Sequence, residues 1–204
     1  MIGVVLNAPI ADRHGGRARR LRVGEHVRSR RLLSLSGEEI AVPDGARLLH
    51  LQLRRFAGCP ICNLHLRSFS ERHREVAAAG VREVIVFHST VEELRRYEAD
   101  VPFAVIADPE RRLYVEFGVE SSPRALLDPR AWGAIVRGPL RSLRAAMRNR
   151  GSSPPLRPSG GRLGLPADIL IAPDGMVLAC KYGTHAYDQW SVDALLATAI
   201  AARS

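Results

Sequence analysis

Leu48-Leu49-His50-Leu51-Gln52-Leu53-Arg54-Arg55-Phe56-Ala57-Gly58-Cys59-Pro60-Ile61-Cys62 is the stretch on which the reading of this chain turns. Leu48 to Leu53 alternates apolar and polar residues, the period of a β-strand, and Arg54 to Gly58 then delivers the chain to the cysteines. From Pro60 the period turns helical, with Ile61, Leu64, Phe69 and Val76 towards one side and Gly80 as the stop. Cys59 and Cys62 therefore stand where a strand hands over to a helix. Free N–H groups and the helix dipole favour an anion there. A thiol in that setting can fall from about 8.5 into the range of roughly 3.5–7.5, which raises its reactive thiolate fraction. A second cysteine one turn on can resolve a mixed disulfide or a sulfenic acid. Pro60 fits the first helical turn, where a missing N–H costs nothing, and Arg54 and Arg55 stand beside the pair as sources of positive potential.

Working outward, Arg31 to Leu35 and Glu38 to Val42 flank Ser36-Gly37 as a hairpin. Val81 to His88 reads as a buried strand, and Ser89-Thr90-Val91-Glu92 as a capping box opening a helix through Tyr97. Pro102 to Ala107 is a further strand, Asp108-Pro109 starts a helix, and Gly118 ends it. Arg130 to Arg148 has helical character, and Arg150 to Leu165 is a Gly-, Ser- and Pro-rich loop expected to be mobile. Asp168 to Ala172 and Met176 to Tyr182 flank the turn Pro173-Asp174-Gly175, and Ser191 caps a last helix reaching about Ala201. With residues 100–165 set aside as an insertion, the order is strand, cysteine helix, strand, helix, hairpin, helix. That order predicts an α/β fold of the thioredoxin-like kind, a central mixed sheet flanked by helices, with an N-terminal hairpin.

The chain has 204 residues, enough for one domain, which is expected to span 31–204 behind a loosely ordered Arg-rich arm at 1–30. Its net charge of +9 invites a polyanionic partner, but Lys181 is the only lysine and the Arg13–Arg31 segment holds no aromatic residue to stack on bases. Composition bias accounts for the arginines, and nucleic acid is not the expected partner. No apolar run reaches the roughly 18–20 residues a membrane span needs, and no basic segment precedes the apolar start as in a secretory leader. A cytoplasmic location is expected, without structural disulfides.

One Cys-x-x-Cys can be half a zinc site, but Cys180, His65, His73 and His185 do not supply a second pair at recognisable spacing. Redox chemistry is favoured over zinc or an inert pair, and no metal or organic cofactor is expected. Cys180, in the last strand, reads as a small buried hydrophobe. His185, Tyr187, Asp188 and Trp190 read as capping and packing before the last helix.

From about Leu32 onward the chain resembles the peroxiredoxin-like branch of the alkyl hydroperoxide reductase and thiol-specific antioxidant family. The likeness is carried by Phe56-Ala57-Gly58-Cys59-Pro60-Ile61-Cys62, Phe87-His88-Ser89, Leu94-Arg95-Arg96-Tyr97 and Pro102-Phe103-Ala104-Val105-Ile106-Ala107-Asp108-Pro109. Tyr114-Val115-Glu116-Phe117-Gly118-Val119 and Leu170-Ile171-Ala172-Pro173-Asp174-Gly175 complete it. The resemblance implies that residues 100–165 are the family's own insertion. It also implies a reactive motif Pro-x-x-x-Thr-x-x-Cys, in which the threonine positions the peroxide and the cysteine attacks it. In this chain Cys59 takes the threonine's place, Cys62 the attacking cysteine's, and Arg55 the proline's. The family's thiolate-stabilising arginine is missing from Leu165-Pro166-Ala167-Asp168, with Arg162 and Arg124 as spatial substitutes.

Thioredoxin and glutaredoxin, by contrast, give the nucleophilic role to the first cysteine of Cys-Pro-x-Cys, and Pro166 then corresponds to the proline before their hairpin strand, usually cis. The resemblance thus leads to a thiol-dependent oxidoreductase with Cys59 and Cys62 at its centre and Pro60 and Pro166 in support. Its substrate is a small hydroperoxide or a disulfide, and its electron donor a dithiol protein such as a thioredoxin. A non-catalytic redox-sensing module is the other reading. Which sulfur attacks first, and whether the chain pairs as a homodimer, stay open at this level.

Overall fold

The expected hairpin forms because Ser34 and Glu38 can close on each other around Gly37, which takes the left-handed conformation (φ +88°) that the turn requires. It joins β1 (Arg30–Leu33) to β2 (Glu39–Val42) in antiparallel register. In the computed structural model the residues described are 19–97, 101–119, 161 and 164–203. The expected helix at 130–148, most of the 150–165 loop, Arg124, Arg162 and residues 1–18 of the expected arm lie outside them.

A five-stranded sheet forms the centre, in the order β5-β4-β3-β6-β7. Its strands are β3 (Leu48–Arg54), β4 (Val81–Phe87), β5 (Ala104–Ala107), β6 (Ala167–Ile171) and β7 (Val177–Tyr182). β3, β4 and β5 run parallel, while β6 and β7 are antiparallel additions, so the sheet is mixed as expected. One face is covered by α1 (Pro60–Glu71), α2 (His73–Ala78), α3 (Val91–Tyr97) and α5 (Val192–Ala201). The other carries the hairpin and α4 (Arg112–Glu116). Residues 24–27 run beside the end of β7, with Gly24 and Val27 N–H donating to Val177 and Gly175 carbonyls.

The single expected helix from Pro60 to Gly80 is broken at Arg72 into α1 and α2, and α1 buries Ile61, Cys62, His65, Leu66 and Phe69. The capping box sits one residue later than expected. Thr90 and Glu93 exchange the reciprocal bonds, because Ser89 is engaged elsewhere, its Oγ accepting the Ala57 N–H at 3.0 Å. α4 likewise begins at Arg112 rather than at Asp108-Pro109. The Asp108 carboxylate reaches forward to the N–H groups of Arg112 and Leu113, so the aspartate caps the helix from several residues back.

Candidate active site

The carboxyl ends of β3, β4 and β5 open on one edge of the sheet, where α/β folds place ligands. Cys59 is the N-cap of α1 and Pro60 its first residue, as the sequence predicts. Cys59 is 1% exposed and Cys62 is 0% exposed. The two sulfurs are hydrogen-bonded to each other, and the guanidinium Nη1 of Arg55 lies 3.5 Å from Cys59 Sγ. Arg55 is itself buried and lies against the Phe56 ring.

These surroundings separate the two thiols. Burial pushes Cys59 up, but the Cys62 thiol, the Arg55 charge and the N–H groups of Cys62 and Ile61 outweigh it and bring it down to about 6. Cys62 is pushed well above its ordinary value, chiefly because it donates to Cys59, then by burial and by the neighbouring negative charge. At neutral pH the pair therefore holds one thiolate, and it sits on Cys59. Arg55→Met is expected to raise the Cys59 midpoint by about one unit or more and to slow its alkylation at pH 6 by roughly three- to tenfold. A titration of alkylation rate against pH measures both.

Beneath α1 lies a buried polar cluster. β3 turns Leu49, Leu51 and Leu53 to the hairpin side and His50, Gln52 and Arg54 to the helix side, and all seven of its residues are buried. Arg54 Nη2 donates to Asp168 Oδ1 at 2.5 Å, to Gln52 Oε1 at 2.7 Å and to His65 Nε2 at 3.2 Å, and Nη1 donates to the Ala167 carbonyl. Arginine only donates, so His65 accepts through Nε2 and carries its proton on Nδ1. Burial and the Arg54 charge hold that imidazole well below its usual value. Asp168 also accepts from His50 Nε2 at 3.1 Å and from the Trp190 N–H at 3.1 Å. Gln52 continues the cluster to Glu83, which meets His73 Nδ1 at 3.0 Å. Tyr114, from α4, donates to the carbonyls of Arg54 and Val86 and is pushed well up by burial and by the Asp108 charge.

Pro166 precedes β6 as expected, but the peptide before it is trans. The cis bond among the described residues is Val42–Pro43. The extended entry into β6 sets Ala167 opposite Leu53, where its carbonyl meets Arg54. Cys180 is half-buried rather than buried, its thiol donating to the Leu21 carbonyl. It packs on the hairpin side of the sheet while Cys59 and Cys62 pack on the helix side. Cys180→Ser is expected to leave the redox rate unchanged and stability within about 0.5 kcal/mol, by denaturant titration. In the cluster before the last helix, Asp188 accepts from Thr184 and pairs with Lys181 at 2.8 Å. Trp190 supports Asp168, and Ser191 caps α5.

His65, His88, Ser89, Tyr114 and Asp168 join the site without having been singled out for it in the sequence. The signal nearest to hand was Asp168, a carboxylate inside the apolar run Ala-Asp-Ile-Leu-Ile. Among the described residues no group of three or more His, Cys, Asp or Glu side chains is placed to hold a metal ion, and no helix is long and apolar enough to cross a membrane.

Several solved structures share this fold. Peroxidoxin BcpB from Mycobacterium tuberculosis is 18% identical with a TM-score of 0.57, covering 91% of this chain and 100% of its own. A putative thiol:disulfide interchange protein DsbE from Chlorobium tepidum is 17% identical, TM-score 0.55, over 90% and 99%. A cysteine-to-serine mutant of the peroxiredoxin 6 of Arenicola marina is 16% identical, TM-score 0.60, over 90% and 74%. No curated protein sequence matches the chain. The profile of the AhpC/TSA antioxidant enzyme family matches residues 66–185, from the middle of α1 through β7 and past it, and so begins just after Cys62. That match spans more than half of the sequence, and the chain belongs to the AhpC/TSA antioxidant enzyme family, as a thiol-dependent oxidoreductase.

Proposed function

We propose that this protein reduces small hydroperoxides at Cys59, with Cys62 as the resolving thiol. The observation that carries the reading is the guanidinium placed against the first sulfur: Arg55 Nη1 lies 3.5 Å from Cys59, and Cys59 is the thiol brought down to about 6. The thiolate attacks the distal oxygen of the hydroperoxide, so that an S–O bond forms as the O–O bond breaks. The departing oxygen takes a proton from water, and Cys59 becomes a sulfenic acid. That step removes the negative charge and the hydrogen bond that held the Cys62 proton in place. Cys62 then loses its proton more readily and attacks the Cys59 sulfur, forming the disulfide as water leaves. A dithiol protein of the thioredoxin kind returns two electrons, and the cytoplasm is the compartment whose reducing poise suits the cycle. Both sulfurs come from one chain, so one copy suffices.

Burial favours this substrate class. Cys59 is 1% exposed, and a protein disulfide needs an open surface around the attacking thiol that a substrate of a few atoms does not. Reduction of a low-molecular-weight disulfide by Cys59 is the second reading. It is favoured by the thiolate sitting on the first cysteine, as in Cys-Pro-x-Cys reductases.

The test is a dimedone-type probe with mass mapping. Cys62→Ser treated with one equivalent of hydrogen peroxide is expected to carry the adduct on Cys59. An adduct on Cys62 in Cys59→Ser, with none on Cys59 in Cys62→Ser, would reverse the roles. If peroxide reacts with the wild type no faster than with free cysteine while a small aromatic disulfide reacts quickly, the second reading stands.

A further inference from the structure

The buried polar groups of the cluster beneath α1 are drawn together by Arg54 and Asp168, but His88 stands outside any such network. Its side chain is 1% exposed, and neither Nδ1 nor Nε2 has a hydrogen-bond partner among the described residues. Leaving a buried polar group unpaired costs about 1–3 kcal/mol, so an imidazole kept in that state calls for a reason other than packing.

Its position supplies one. His88 directly follows β4, whose last residue Phe87 is registered against Arg54. The His88 N–H donates to the Arg55 carbonyl at 3.3 Å, and the next residue, Ser89, holds the Ala57 N–H. The backbone of His88 is thus tied to the loop that presents Arg55 and Cys59. The ring stands edge-on to Tyr114, centroids 5.4 Å apart, and the Tyr114 hydroxyl in turn donates to the Arg54 carbonyl, the residue before Arg55. On another side bare backbone approaches it: a Cβ on Gly164 would lie 2.6 Å from His88 Nε2. Burial, then the Arg111 and Arg55 charges, bring the imidazole down to about 4, so the ring is neutral at pH 7. A neutral imidazole has one N–H donor and one bare nitrogen acceptor. A hydroperoxide, with one O–H donor and two oxygen acceptors, can pair with either.

We propose that His88 is a substrate-binding residue whose imidazole hydrogen-bonds a hydroperoxide while the Cys59 sulfur attacks it. This rests on the peroxidase reading above. His88 keeps its own proton throughout: the S–O bond forms, the O–O bond breaks, and water protonates the departing oxygen. The unpaired nitrogens of the resting site are then the polar positions that the substrate fills.

The experiment uses the full chain with His88→Leu and His88→Gln. Stopped-flow rates are measured for hydrogen peroxide and cumene hydroperoxide and, in parallel, for a small aromatic disulfide that reports Cys59 nucleophilicity. His88→Leu is expected to lower the peroxide rate constants by roughly 10- to 100-fold, the scale of losing one donor to developing charge. The disulfide rate should stay within about twofold of wild type, and the thermal midpoint should be unchanged or higher, since two unpaired nitrogens have been removed. His88→Gln should recover part of the peroxide rate. An unchanged peroxide rate in His88→Leu would overturn the proposal. So would a parallel fall in both reactions with a lower thermal midpoint, which marks a structural role. Wild-type protein reacting with peroxide no faster than free cysteine would instead remove the peroxidase reading itself.

Discussion

Cys59→Ser is expected to reduce hydrogen peroxide no faster than an unactivated thiol, a loss on the order of a thousandfold or more in the second-order rate constant. Cys62→Ser should behave differently. Its first turnover stays within a few-fold of wild type, because Arg55 and the N–H groups at the start of α1 still face Cys59 and serine can still donate to it. Steady-state turnover with a dithiol donor then stops, since no thiol remains to resolve the sulfenic acid. Stopped-flow peroxide consumption on both variants reads the asymmetry. Equal loss of the first turnover in the two variants would mean that the sulfurs share the attack.

The second large effect concerns stability. Asp168→Ala leaves Arg54 buried with its charge uncompensated, and breaking such a pair costs about 3–5 kcal/mol. Urea titration of the variant is expected to show that loss, with the transition slope near wild type. The same carboxylate sets an acid limit. Burial pushes Asp168 up, but the Arg54 charge and the His50 bond hold it far below its ordinary 3.8. A carboxyl lowered on folding contributes fully above its unfolded value and loses that contribution as pH falls towards the folded one. Wild-type stability should therefore erode below about pH 4, and Asp168→Ala should show a shallower slope there. An equal slope in the two proteins would assign the acid limit to other groups.

The outline of the fold was legible because it rests on local signals. The period-2 run into Cys59, the period-3.6 run out of it, and Ser36-Gly37 between two apolar runs each declare themselves within a few residues. What was not legible depends on partners far along the chain. Alternation in Leu48–Leu53 marks a strand, but does not reveal that its polar side is buried. His50, Gln52 and Arg54 can lie inside only because β6 brings Asp168 and β4 brings Glu83 across from them. The capping box moved to Thr90 for a similar reason, since Ser89 is drawn to the cysteine loop.

Analogy alone makes Pro166 cis, while the register of Ala167 on Leu53 goes with an extended, trans entry. In the site itself, the spacing of Cys59 and Cys62 named the pair, and Arg55 was visible both as a source of positive potential beside it and as a departure from the family's motif. That departure carries the guanidinium the motif otherwise lacks. Arg55 points at the Cys59 sulfur, and no spacing encodes that direction.

The central claim is that the pair holds a single thiolate at neutral pH and that it belongs to Cys59. Thiolate absorbance at 240 nm, followed between pH 4 and pH 9 on the reduced protein and on each single serine variant, tests it most directly. The wild type should show one step with its midpoint near 6. Cys62→Ser should keep that step, since the serine hydroxyl still donates to Cys59, and Cys59→Ser should lose it. A step near 6 that survives in Cys59→Ser and vanishes in Cys62→Ser, or no step below pH 8 in the wild type, would contradict the assignment.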